Sequence, residues 1–391
     1  MSITENRGDW KRRIPIELYT SDEHFAAEQQ RLFRRTWLNV GRADELTRDG
    51  SYFTVALDVV GANIVVTRDA DGQHHAFHNV CSHRGAPVCP EGSGTARGFV
   101  CPFHSWRFGL DGSCRNVTDA EGYGPLDMDE LALTPLAIDS WAGFLFVHMD
   151  PSPAQTLREF LGPIADKLDD YPFDELGGSH YRFEIPLDAN WKTVRDSFVE
   201  SHHTRHLHSK TLAPVFVTPD NPFSHGIDHE AKGPHGTFSL VANPDFAPSA
   251  FEMVAMLRGT PEALMVDEDP PGVNEPQAEG WMMDINVIFP NFFIDPFKTS
   301  YLTYNFWPVA VDQMVWRIDL YFPKAANASE RVMHESQIVR ARDALLEDIK
   351  VIEDINNGFR SGARSETVLH DEEFLIAHGH AAAEAVMGDV R

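Results

Sequence analysis

Cysteine is scarce in this 391-residue chain: there are four, too few to staple a scaffold of such length. A disulfide framework is thereby excluded, and the thiols are expected to be free, catalytic or metal-bound in a cytoplasmic protein. Long apolar runs are missing too. Stretches such as Phe144–Val147 fall far short of the ~20 residues a bilayer demands, so no membrane span is expected. The opening MSITENRGDWKRR holds no apolar core of a secretory signal. Positive charge is in short supply: 33 Lys and Arg face 59 Asp and Glu, a formal net charge of −26. Phosphate contacts need clustered cations, which excludes nucleic acid as a partner. No G-x-G-x-x-G fingerprint is present for a dinucleotide. What the chain does have is histidine, nineteen of them.

The pattern along the chain is mixed. Ser21-Asp22-Glu23 reads as a capped helix start, with Phe25, Leu32, Phe33 and Trp37 following at roughly helical spacing. From Trp37 to Asp150 short β segments take over: Tyr52–Leu57, Ile64–Thr67, His75–Val80 and Phe144–His148. Asp71-Gly72 and Asp111-Gly112 fall where turns belong. The second half opens with a helix near Asn190-Trp191 and an irregular stretch from Gly226 to Asp269. Strand-like runs follow at Asp284–Phe289, Asn291–Ile294, Tyr301–Trp307 and Met314–Phe322. A long helix is predicted from Ser329 to Asn357, stopped by Asn357-Gly358. Strands followed by one long helix, without βαβ alternation, give an α+β domain.

All four cysteines lie in the β-rich part. Cys81-Ser82-His83 and Cys101-Pro102-Phe103-His104 form a C-x-H and C-x2-H pair separated by seventeen residues. Two Cys and two His suit tetrahedral zinc. They equally suit a [2Fe–2S] cluster with histidine in place of cysteine on one iron, which raises its potential. Each loop contributes one residue of each kind, which favours a cluster whose two irons differ. Cys89 and Cys114 fall outside the pattern and read as small buried residues.

A second concentration runs from Asp196 to His208, with His202, His203, His206 and His208 inside seven residues. On one regular helix His202 and His206 share a face. His203 and His208 lie about 140° apart, so a helix end must intervene if they are to meet. Two histidines leave a metal under-coordinated, and a carboxylate is the usual further ligand. On the long helix, Leu345, Ile349, Ile352 and Ile355 define an apolar stripe, with Asp343, Glu347, Lys350 and Asp354 facing away. Asp348 lies inside that stripe, where an acid is costly to bury unless it is paired or metal-bound.

These residues resemble the large (alpha) subunit of Rieske non-heme iron oxygenases, the aromatic-ring-hydroxylating family. The likeness is carried by Cys81-Ser82-His83-Arg84-Gly85 and Cys101-Pro102-Phe103-His104-Ser105-Trp106, where Ser105 replaces the commoner glycine. The resemblance implies that Cys81, His83, Cys101 and His104 hold a [2Fe–2S] Rieske cluster. Its acid-x2-His-x4-His motif falls on Glu200, His203 and His208, and its Asp-x4-Glu pattern on Asp348 and Glu353. By that likeness His203, His208 and Asp348 bind mononuclear Fe(II). Glu200, where aspartate is commoner, is then the electron bridge to the neighbouring subunit's Rieske centre. His202 stands where tyrosine is usual, and Asp196-Ser197 where Glu-Asn is usual.

The implied fold is an all-β Rieske domain (38–150) inserted in a helix-grip (START-like) catalytic domain (151–391), with an antiparallel sheet, a long C-terminal helix and an N-terminal helical segment (1–37). The implied partners are a ferredoxin and/or an NAD(P)H-dependent flavin reductase, O2 and a small organic substrate. A homotrimer is expected, with or without beta subunits. Length and the N-terminal region lean towards hydroxylation or dihydroxylation of an aromatic substrate in catabolism; O- or N-demethylation by a monooxygenase is the alternative. A Rieske electron carrier fused to a ligand-binding domain would leave Glu200, His203, His208 and Asp348 without a purpose, and a structural zinc protein would be colourless where a Rieske protein is brown with a rhombic EPR signal on reduction. Arg84 and Arg107 beside the ligand loops suit either docking of an acidic donor or tying of the loops.

Overall fold

A computed structural model describes residues 10–248, 253–254 and 268–388. The chain forms two compact units, Glu28–Phe160 and the combination of Met1–Ala27 with Leu161–Arg391. The expected N-terminal segment divides between them. Asp22–Ala27 is α-helical, whereas Glu28–Phe33 is wound as a π-helix and falls in the other unit. No described helix is long and apolar enough to cross a membrane.

The unit Glu28–Phe160 is all-β. Its seven-stranded antiparallel sheet has the order β2 (Leu38–Arg42), β11 (Phe144–His148), β10 (Pro135–Trp141), β5 (His74–His78), β4 (Ala62–Arg68), β3 (Ser51–Leu57) and β6 (Ser93–Thr95). The turns predicted at Asp71-Gly72 and Asp111-Gly112 are present, with Gly72 at φ 78° and Gly112 at φ 79°. A small sheet of β7 (Phe99–Val100), β8 (Arg107–Phe108) and β9 (Cys114–Asn116) carries the second cysteine loop. Val65, Phe77, Trp106 and Phe108 form a core that encloses all four cysteines.

The other unit is built on a second seven-stranded antiparallel sheet, ordered β12 (Ser179–Leu187), β18 (Gln313–Phe322), β17 (Tyr301–Ala310), β16 (Phe292–Pro296), β15 (Trp281–Ile288), β14 (His235–Val241) and β13 (Ile227–Lys232). β1 (Arg13–Pro15) pairs with β19 (Glu366–Val368) apart from it. Two strands therefore occupy the start of the stretch expected to be irregular; 249–252 and 255–267 of that stretch lie outside the described residues. β14 is buried at nearly every position, so it lacks the alternation that marks a half-exposed strand.

Register sorts the central side chains into two faces. Phe293 sits opposite Tyr304, and Phe306 opposite Trp316, all on one face. Phe198 packs against it, its ring 4.7 Å from Trp316 and 5.6 Å from Tyr304. The reverse face carries Thr237 and Asp284, both held by Lys167 at 2.8 and 2.9 Å.

The long helix runs Ala328–Arg360, capped by Asn327, whose side chain accepts from the Ser329 and Glu330 N–H groups. It does not stop at Asn357-Gly358. Gly358 keeps helical geometry, and the left-handed turn comes at Gly362, φ 71°. The buried stripe is also shifted. Leu345, Asp348, Ile352 and Asn356 face inward, whereas Ile355 is 38% exposed.

Candidate metal centres

The two cysteine loops are built alike. The Cys81 N–H donates to Ala86 and Cys101 N–H to Trp106, both at 2.8 Å. The Gly85 N–H then returns to Cys81 O at 2.9 Å, and Ser105 N–H to Cys101 O at 3.0 Å. Closing these turns requires a left-handed residue, Gly85 at φ 78° and Ser105 at φ 59°. That is the physical reason glycine is common at the second position, and why serine there is strained.

Cys81 and Cys101 point into the core, each 2% exposed, while His83 and His104 lie further out. The two histidines turn their Nδ1 atoms towards each other at 3.1 Å. His83 stacks on Trp106 with ring centroids 4.8 Å apart, and its Nε2 is 3.4 Å from the Tyr123 hydroxyl. An inner thiol pair and an outer imidazole pair, both Nδ1 atoms free to ligate, fit a [2Fe–2S] cluster with His on one iron. Cys89 and Cys114 are buried and separate from this group, and burial pushes the Cys89 thiol up to about 11. Arg84 is exposed, its guanidinium over the exposed Phe103 ring at 5.2 Å, and Arg107 is exposed as well.

The second site is built on Trp191–Asp196 and the segment after it. Asn190 caps that helix by accepting from the Lys192 N–H, and its own N–H donates to Asn356 Oδ1 on the long helix at 3.0 Å. After Val199 comes a helix of four residues, Thr204–Leu207. His203 is the residue before it and His208 the residue after it, so the helix ends required by their angle are present at both. His203 Nε2, His208 Nε2 and Asp348 Oδ1 converge: Asp348 is 3.3 Å from His208 and 3.8 Å from His203. Asp348 and His208 are each 2% exposed.

The outer nitrogens are also held. His208 Nδ1 donates to Glu347 Oε2 at 2.8 Å, and His203 Nδ1 to Glu200 Oε1. Burial alone would lower His208, but the Asp348 and Glu347 carboxylates outweigh it and hold the imidazole above its ordinary value. Two imidazoles and one carboxylate meeting at open atoms, each imidazole oriented by a second carboxylate, are the donor set of a facial-triad ferrous site.

Glu347 is a correction to the helix-angle reading, which turned it away. It lies at the edge of the stripe, where His208 and Thr211 reach it from another segment. Glu353 accepts from the Asp188 N–H at 3.5 Å and takes no part in the triad. His206 is exposed.

His202 joins a different group. It lies 3.0 Å from Glu200 Oε2 and 3.3 Å from Glu372 Oε2, and Glu372 also accepts from His225 Nδ1 at 2.7 Å. The Gly226 N–H and the Ser201 hydroxyl donate to its other oxygen. The neighbouring Glu372 carboxylate pushes His202 up to about 9, against the effect of burial. His202, His370 and Glu372 bring ligand-type atoms within 4.8 Å of one another. Three donors already occupy the Glu372 oxygens and His202 adds an ion-pair contact, so this is a hydrogen-bond hub.

Comparison with known proteins accords with both centres. Residues 173–389 match the family described as "Ring hydroxylating alpha subunit (catalytic domain)", and 36–131 match "Rieske [2Fe-2S] domain". The carnitine monooxygenase oxygenase subunit of Escherichia coli K12 is 27% identical across 96% of this chain and 94% of its own. Chloroplastic choline monooxygenase of Spinacia oleracea is 35% identical over 198 residues, 50% of this chain and 44% of that one. This chain thus spans under half the length of that choline monooxygenase and of those of Beta vulgaris and Atriplex hortensis. Among solved structures, a quaternary ammonium Rieske monooxygenase shares the fold with a TM-score of 0.77, 22% identity and 96% coverage of both chains. Naphthalene 1,2-dioxygenase from Rhodococcus sp. does so with 0.75, 20% identity, 96% coverage of this chain and 94% of that one. A Rieske unit with Cys and His ligand loops, and a catalytic unit whose matched span exceeds half the chain, identify this protein as a member of the Rieske non-heme iron oxygenases, an alpha subunit of the ring-hydroxylating family carrying a [2Fe–2S] cluster and a mononuclear iron.

Proposed function

We propose that this chain is the oxygenase component of a monooxygenase acting on a small methylated ammonium compound. Cys81, His83, Cys101 and His104 hold the cluster, and His203, His208 and Asp348 hold the iron. Glu200, on the outer nitrogen of His203, links that centre to the Rieske histidine of a neighbouring subunit in a homotrimer. The observation that carries the oxygenase reading is the convergence of His203, His208 and Asp348, with Glu347 and Glu200 behind the imidazoles.

The substrate class is supported by relatives named for carnitine and choline, and by the aromatic sheet face beside the ligands. Phe198, Tyr304, Phe306 and Trp316 pack as an aromatic cluster, the residue type that attracts quaternary ammonium groups. Likeness to naphthalene dioxygenase speaks for the fold alone, so the aromatic substrate expected from sequence is not adopted.

The reaction balances as C–H + O2 + two electrons + two protons giving C–OH + H2O. The electrons come from NAD(P)H through a separate ferredoxin or flavin reductase. When bound, the iron activates O2 and the cluster supplies an electron. The chain's own residues position the reactants. Glu347 fixes the His208 ring by taking its Nδ1 proton in a hydrogen bond, leaving Nε2 for the metal. The apolar face excludes water from the carbon to be hydroxylated. The test is turnover with 18O2 and a reductase system on carnitine, choline and γ-butyrobetaine against benzoate and naphthalene. One labelled oxygen in a product of an ammonium compound is expected. Incorporation only into an arene would overturn the substrate assignment.

A further inference from the structure

We infer that Asp295 is the substrate's counter-ion, the residue by which this site selects a positively charged molecule over an uncharged one of the same shape. This deepens the ammonium reading above and rests on it.

Asp295 lies on β16, opposite Leu302 and two residues from Phe293, so strand alternation puts it on the face shared by Phe293 and Tyr304. That face is the one against which Phe198 packs, five residues before His203. Asp295 is 2% exposed, and its Oδ1 has no hydrogen-bond partner among the described residues. Other buried acids of this unit are all satisfied. Asp284 is held by Lys167 and Ser239, Asp319 by His180 and Arg182, and Asp196 by Arg195, Tyr19 and His380.

An acid left alone in such a place is expensive and calls for a specific reason, and an incoming cation that completes it as a carboxylate supplies one. Burial pushes its carboxyl well above the usual carboxylate range, with the charge of Asp284 adding to the effect. The Tyr304 phenol is raised by burial first and then by the charges of both Asp295 and Asp348. Tyr304 stands on the face it shares with Asp295, and Phe198, five residues before His203, packs on its ring. A cation seated there meets a carboxylate on one side and ring faces on the other, which together select a methylated ammonium. In sequence Asp295 is the single acid in the run Phe289–Phe297.

The test uses the full chain loaded with cluster and iron. Calorimetric binding of choline is compared with that of 3,3-dimethylbutan-1-ol, in which carbon replaces the charged nitrogen. The unaltered protein should bind choline at least tenfold more tightly than the alcohol. Asp295→Asn and Asp295→Ala should each weaken choline by about 30-fold or more, the loss typical of truncating one partner of a buried charge pair, and leave the alcohol within threefold. The visible spectrum and iron content of each variant report that it is folded and loaded. Unchanged discrimination in both loaded variants overturns the inference, as does a preference for the alcohol in the unaltered protein. If methylated ammonium compounds are hydroxylated with unchanged KM in Asp295→Asn, the inference falls while the substrate reading stands. If only arenes are hydroxylated, both fall.

Discussion

Removing Glu347 should weaken iron binding without touching an iron ligand. Its Oε2 accepts from His208 Nδ1 at 2.8 Å and from the Thr211 hydroxyl at 2.7 Å, and its side chain is 31% exposed. In Glu347→Ala the His208 Nδ1–H, on a ring 2% exposed, is left facing a gap. The imidazole also loses the negative charge that raises its basicity and the contact that fixes its rotation. Losing such a carboxylate behind a metal-bound histidine typically costs 10–100-fold in affinity, about 1.4–2.8 kcal/mol. Glu347→Gln keeps an acceptor but not the charge, so its loss should be about tenfold or less. Thr211→Val removes only a donor to Glu347 and should cost about threefold at most. The assay is anaerobic titration of iron-depleted protein with ferrous ion against a competing chelator, with the cluster's EPR signal as internal control. Affinities within twofold of the unaltered protein for both Glu347 variants would refute the reasoning.

Asp348→Ala and His208→Ala should each lower the iron content from about three to about two per chain, abolish oxygenation and leave the cluster's colour intact; elemental analysis with visible spectroscopy reads both. Glu200→Gln should keep both metals yet slow oxidation of a pre-reduced cluster by about 100-fold or more in a single turnover followed by rapid-freeze EPR, since an amide cannot take over the carboxylate's bridging role. Asp196 is held down to about 2 from an ordinary 3.8, burial being outweighed by Arg195 and His380. A depressed acid stabilises the fold above its unfolded value and loses that contribution as the pH falls from about 4 to about 2. Asp196→Asn should therefore cost about 2 kcal/mol at neutral pH and flatten the acid limb of a urea-midpoint profile over that window.

The first ligand set was readable because its chemistry is local. Each loop carries its own thiol, imidazole and turn residue within five positions, and only the strain at Ser105 needed coordinates. Spacing alone left His202/His206 and His203/His208 both open, and the family resemblance singled out the second pair; Asp348 stood out as an acid inside an apolar stripe. Glu347 escaped because its place is decided by His208, 139 residues earlier, and not by the helix that bears it. Glu372 escaped for a similar reason, since its partners come from Ser201 and from His225 and Gly226. Asp295 was hidden in a strand buried on both faces, where no alternation separates a pocket from a core. The hairpin of β13 and β14 was masked by its glycine and histidine content.

The hub at Glu372 reaches beyond its own neighbourhood. That carboxylate stands in a short turn just ahead of the helix Phe374–Met387 and accepts from the hydroxyl of Ser201, two residues before His203. The far end of the polypeptide therefore serves as foundation for the centre although it contributes nothing to the metal. Trimming the chain behind Val368, or fusing cargo so as to unseat that turn, would loosen the catalytic loop from beneath, leaving every ligand present and none of them aligned.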